Sequence, residues 1–139
     1  MKVTATTTID KPVSHVFPLM ADNRNEPRWN SNLSNSELLT AEPIGVGSRF
    51  RAVYQGQECM AVIAEYEPDH FVTFEVDAKR MDITGRMSFS PAGSGTRLDG
   101  DFDLRPKGLM KLMLPLLAPF VRRDFPKQFA NFQAFAEQR

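Results

Sequence analysis

Residues 105–139 constrain this chain more than any other stretch, because they read as one long helix around which the remaining segments must close. At about 100° per residue, Leu109, Leu112, Met113, Leu116 and Phe120 share one face. Val121, Phe125, Phe129, Phe132 and Ala136 share a second face, turned away from the first. One straight helix would not lay both stripes on one sheet. Pro115 and Pro119 lie between most of the two, with Pro126 a little later. A proline inside a helix removes a backbone hydrogen bond and clashes with the preceding turn, which kinks the helix. The expectation is a bent helix that turns both stripes onto the same sheet. Such a stripe serves as plain core or lines a cavity, and Met110 and Met113 suit an irregular apolar guest as well as ordinary packing. A third use is peripheral contact with a membrane. The apolar run is about 13 residues long and holds Lys111 and two prolines, short of the roughly 20 that a spanning helix needs.

The chain has 139 residues, enough for one domain with a real core and room for a pocket. Its 17 basic and 17 acidic residues cancel, which leaves no net charge to favour nucleic acid or an anionic membrane. Cys59 is the only cysteine, so no internal disulfide can form, as in a reducing compartment. Residues 1–8 lack the apolar core of a signal peptide. The expectation is a cytoplasmic protein, monomer or homodimer, without a transmembrane segment. No repeat or linker interrupts residues 1–139.

Val3, Ala5, Thr7 and Ile9 alternate with polar positions and predict a strand over 2–9. Asp10 and Pro12 then mark a helix start, with Asp10 as the cap and Val13, Val16, Phe17 and Met20 at helical spacing. Residues 22–30 read as a turn and a second short helix. From there the period changes to two. Strands are expected over 34–40, 48–55, 57–67, 70–78, 81–90 and 96–104, separated by glycine and proline turns. Leu98, Gly100, Phe102 and Leu104 alternate with Arg97, Asp99, Asp101 and Asp103, which predicts an antiparallel sheet buried on one face. The strand over 57–67 is apolar on both faces, so its inward side stays open. Gly85 and Gly100 fall on the apolar face, where they mark bends or leave empty space.

The order is one strand, two short helices, six strands and one long helix. It resembles the polyketide cyclase/dehydrase branch of the SRPBCC superfamily. The matching residues are Ile9 to Phe17, Asp22 and Trp29, Gly45-Val46-Gly47-Ser48-Arg49-Phe50, Glu65-Tyr66-Glu67-Pro68, Gly95-Thr96-Arg97, and the tail from Pro106 to Pro119. The resemblance spans nearly the whole chain. It implies an α+β helix-grip (START-like) fold: a seven-stranded curved antiparallel sheet around a long bent C-terminal helix, with two short helices after the first strand. It also implies a deep apolar cavity between sheet and helix that takes a small hydrophobic molecule such as a lipid or polyketide. It does not imply one reaction.

The residues themselves carry little chemistry. His15, His70 and Cys59 have no metal-ligand spacing, and no metal or cofactor is expected. Tyr54, on the face of Phe50 and Ala52, is the best polar group for an apolar pocket, because a buried hydroxyl needs a partner. Glu58 would gain a raised pKa if its face pointed inward. Arg51 and Glu75 would either orient a ligand or pair across strands on the outside. Tyr54, Glu58 and Arg51 are thus the only catalytic candidates. The expected cavity walls are Trp29, Phe50, Tyr54, Val72, Phe74, Met87, Phe89, Phe102, Leu109, Met113, Leu116, Leu117 and Phe120. Three functions fit: an apolar-ligand binder, a cyclase or dehydratase with an acid/base pair facing the cavity, and a quinone-chaperone-like protein that offers the stretch 109–121 to a membrane or partner. The last requires that stretch to be exposed.

Overall fold

The computed structural model describes residues 1–139. The seven strands are β1 (Lys2–Ile9), β2 (Leu33–Leu38), β3 (Arg49–Tyr54), β4 (Gln57–Glu67), β5 (Phe71–Ala78), β6 (Met81–Ala92) and β7 (Gly95–Pro106). They form one antiparallel sheet in the order β1-β7-β6-β5-β4-β3-β2. From β2 onward each strand pairs with its neighbour in sequence. The β3–β4 hairpin closes on Gln55 and Gly56, both at positive φ (48° and 81°), as a two-residue turn matched to strand twist requires. Only β1 crosses the sheet, to reach β7. Its connection to β2 carries the helix α1 (Val13–Ala21) and a 3₁₀ helix (Asn23–Arg28). The long helix α2 (Met110–Glu137) ends the chain. This is the helix-grip architecture.

Two local expectations change. Asp10 does not cap α1; Pro12 holds the cap position without a side-chain hydrogen bond, and the Asp10 backbone N–H donates to Glu137 Oε2 at 2.8 Å instead. The capping aspartate is Asp22, whose carboxylate accepts from the Arg24 N–H at the start of the 3₁₀ helix. The open face of β4 is also settled. Cys59, Ala61 and Ile63 point inward until the register shifts between Ile63 and Glu65. That bulge reverses the alternation, so Tyr66 turns in against the Phe17 ring, 5.4 Å away.

The second half of α2 lies along β1 and runs the same way. Arg122 donates to the Lys2 carbonyl at 2.8 Å, Thr7 to Gln133 Oε1 at 3.4 Å, and the Asp10–Glu137 bond closes the far end. Phe129, Phe132 and Ala136 are buried there, so the second stripe meets the sheet. The first stripe does not. Pro115 and Pro119 sit inside α2, yet they do not bring Leu109, Leu112, Met113, Leu116 and Phe120 onto the sheet. These five are 41–77 % exposed. Periodicity identified a face; it could not say that the sheet ends before that face begins.

Aromatic rings lie over both inward glycines, and Gly85 also borders empty space. A Cβ on Gly85 would stand 2.8 Å from the Phe102 ring, and one on Gly100 would collide with the rings of Phe129 and Phe102. The missing side chains are the seats of two aromatic rings, themselves packed edge to face at 5.9 Å. Gly100→Val should therefore lower stability by about 1–3 kcal/mol, as overpacking does. Urea unfolding measures it, and an unchanged midpoint would mean that Phe129 does not depend on that seat.

Candidate functional site

A cavity of about 170 Å³ lies between the concave face of the sheet, the 3₁₀ helix and the second half of α2. Small inward residues help create it: Ala52 and Ala61 stand where larger side chains would fill the space, and Gly85 borders it beside the Phe102 ring. Phe74 and Met87 of the sheet, and Phe125 and Phe129 of α2, complete an apolar body, and Phe102 stacks on Phe125 at 4.5 Å. Fourteen of the twenty-one lining residues are hydrophobic, so removal of apolar surface from water dominates what the space can offer a guest. For scale, an apolar cavity of about 150 Å³ stays dry and takes one benzene ring.

Of the residues expected from sequence as walls, Trp29, Tyr54, Phe74, Met87 and Phe102 line this cavity. Phe50, Val72 and Phe89 do not reach it; they are buried in the core beside it, Phe50 against Phe74 and Phe89 against Phe17. Leu109, Met113, Leu116, Leu117 and Phe120 stand off it entirely, on the overhanging half of α2. Among the catalytic candidates only Tyr54 is present. Arg51 points outward and pairs with Glu37 at 3.1 Å across the β2–β3 ladder. Glu58 is exposed on the outer face of β4, opposite Cys59 and Ala61. Glu75 is exposed as well.

One end of the cavity is polar, and most of its residues escaped the sequence reading. Glu26, Trp29 and Asn30 come from the 3₁₀ helix and its exit, Asn32 from the following turn, and Asp124 and Gln128 from α2. The spacing was visible: Glu26, Trp29 and Asn30 lie three and four apart, as do Asp124 and Gln128, which places each set on one helical side. Nothing in the pattern set these polar residues apart from a solvated turn.

The polar end contains two kinds of group. Asp124 is fully engaged, accepting from Asn32 Nδ2 at 2.8 Å and from Gln128 Nε2 at 3.2 Å. Gln128 also donates to Ser31 Oγ at 2.8 Å and accepts from the Ser31 N–H at 3.0 Å. This network ties α2 to the turn at residues 30–32. The remaining groups have capacity to spare. Glu26 accepts one bond, from Asn30 Nδ2 at 2.9 Å. Burial pushes its carboxyl up from 4.5 to about 7, against the opposing effect of Asn30. Burial, with Asp124 and Glu26 nearby, pushes the Tyr54 phenol up to about 12. The Cys59 thiol rises to about 11 through burial and then Glu26. At neutral pH the site therefore offers a hydroxyl, a thiol and a carboxyl near its own midpoint. The Trp29 indole Nε1–H is buried and has no hydrogen-bond partner in the protein, an arrangement that costs free energy until an acceptor meets it.

The family described as polyketide cyclase/dehydrase and lipid transport matches residues 1–137 of the chain. No curated protein matches it significantly in sequence. Among solved structures, the fold is similar to a conserved protein from Geobacillus kaustophilus (TM-score 0.81, 11 % identity, covering 99 % of this chain and 96 % of that one). It is also similar to the Zhui aromatase/cyclase from a Streptomyces species (TM-score 0.77, 16 % identity, 100 % and 94 % covered). A START superfamily protein from Mycobacterium smegmatis has a TM-score of 0.70 at 21 % identity, with 99 % and 94 % covered.

Proposed function

Because the chain belongs to the polyketide cyclase/dehydrase and lipid transport family, we propose that it binds a small hydrophobic molecule carrying an oxygen acceptor, in the cavity between the sheet and α2. The observation that carries this reading is an apolar cavity whose wall includes Trp29, a residue whose indole N–H has no partner in the protein. The apolar walls provide affinity without direction, and the few polar groups fix orientation. A carbonyl or hydroxyl oxygen facing Trp29 and Tyr54 would satisfy both donors. A hydrocarbon of the same shape would leave the Trp29 donor buried and unpaired.

The indole N–H of Trp29, the only tryptophan, gives a single resonance in a nitrogen–proton NMR spectrum. Titration with acetophenone should shift it downfield and saturate. Ethylbenzene, of similar shape but without an acceptor, should bind roughly tenfold more weakly, the effect of one unmade hydrogen bond. A resonance that stays still with both probes would remove the reading.

A second reading rests on Glu26. An enzyme of the cyclase or dehydratase type needs an acid/base group at the cavity, and Glu26 beside Tyr54 meets that need. Glu26→Gln keeps the size and the bond from Asn30. It should abolish turnover of an aromatic polyketide-like substrate and leave its binding within a few-fold; loss of binding alone would favour the simple binder.

A further inference from the structure

We propose that the first half of α2 is a docking face for an anionic lipid surface, independent of what the cavity binds. The outward side of this half presents Leu109, Leu112, Leu116 and Phe120 at 66–77 % exposure, with Met113 beside them at 41 %. They recur at helical spacing and form a line about 17 Å long. Surface leucines scattered singly call for no explanation, but a contiguous apolar stripe on a helix marks an interaction site. Inside the protein this half of the helix buries only Leu114. Its orientation is thus inverted relative to an ordinary surface helix, whose apolar side faces the core.

The charges around the stripe identify the partner. Residues 104–123 hold five cations, Arg105, Lys107, Lys111, Arg122 and Arg123, and no carboxylate. At about 100° per residue, Arg123 and Lys127 continue the line of Leu116 and Phe120 toward the C-terminus. Both are exposed, and neither they nor Lys111 make an ion pair in the protein. Arg105 pairs with Asp103, and Lys107 with Asp77 and Asp82, so the cations around the stripe that are free of an ion pair are Lys111, Arg122, Arg123 and Lys127, all on the helix itself. Two copies meeting through this face would set cations against cations, with no acid within the stretch to neutralise them. A bilayer containing anionic phospholipid supplies both needs at once: headgroups for the cations and an acyl boundary for the leucines. No helix of the protein is long and apolar enough to cross a membrane, so α2 would lie in the interface. Two turns further on, Asp124, Phe125, Gln128 and Phe129 line the cavity. One helix then joins the lipid surface to the ligand space.

The test is co-sedimentation with vesicles of phosphatidylcholine, with and without phosphatidylglycerol. Wild-type protein should pellet with the anionic vesicles and less with the neutral ones, and added salt should weaken the difference. Leu112→Ser, Leu116→Ser and Phe120→Ser together should lower anionic-vesicle partitioning by more than about tenfold, while circular dichroism confirms the fold. Arg123→Gln with Lys127→Gln should lower it about tenfold or less and flatten the salt dependence. Wild-type protein that stays in the supernatant, or a triple variant that pellets equally, would overturn the proposal. A concentration-dependent dimer abolished by the same triple substitution, without vesicle binding, would assign the face to a second copy and overturn it as well.

Discussion

Phe132→Ala should cost about 3–5 kcal/mol. Phe132 is fully buried and lies on the second stripe of α2, where its ring meets Trp29 edge to face at 5.2 Å and Phe135 at 6.4 Å. It holds the helix to the sheet and also braces the tryptophan on the cavity wall. The loss has two parts: the transfer free energy of the ring, and the void it leaves in a dense interior. A shift in the urea midpoint with an unchanged slope would report it. The same variant should broaden or move the Trp29 indole resonance before any ligand is added. A loss below about 1 kcal/mol would mean that the neighbours collapse into the space and that Trp29 needs no brace.

Glu26→Gln should abolish the pH dependence that this cavity carboxyl imposes on stability. In the folded protein the carboxyl titrates near 7; in the unfolded chain it returns to about 4.5. Between these values the folded state holds a proton that the unfolded chain has released, so stability falls as pH rises through that window. The fall amounts to at most roughly 3 kcal/mol. Below the window both states are protonated and the contribution is intact; above it the protein carries a half-buried carboxylate faced by Tyr54 and Cys59. Glutamine is neutral throughout. The variant should match wild type at acid pH and exceed it above neutrality, as read from unfolding midpoints across the range. Parallel curves for the two proteins would place Glu26 in water.

Both predictions fall on residues that the sequence exposed unequally. Strands β6 and β7 were legible to within two residues at their ends, because strict alternation with charges on the outer face leaves one solution. On β4, Cys59, Ala61 and Ile63 compete with Met60, Val62 and Ala64, and the bulge beyond Ile63 switches the winning face partway along. No period-two reading contains such a switch. The two stripes of α2 were legible as faces, and Phe132 as a member of one. The distance over which the sheet supports the helix was not, since it depends on how far β1 and β7 extend beneath it. The polar end of the cavity was least legible. Glu26 sits among Asp22, Asn23, Arg24, Asn25 and Arg28, and a carboxylate withdrawn from water by residues distant in sequence looks the same in the chain as a solvated one. Tyr54 was found because its strand announced an apolar face; Asp124 and Gln128 were not, because on an amphipathic helix they pass for its wet side.

The strand order leaves β2 as the free margin of the sheet, while β1 at the other margin runs under α2. A bare margin invites another chain to add itself strand by strand, the route to aggregation. Here that margin is only six residues long, is broken by an irregular register between Leu33 and Asn35, and reads Leu-Ser-Asn-Ser-Glu-Leu, with Glu37 exposed. A protein that keeps an oily helix face in the open has few other places where it can tolerate stickiness, and its one unpaired border, which the 3₁₀ helix reaches through Asn23 and Ser36 at 3.1 Å, is made unattractive to its own kind.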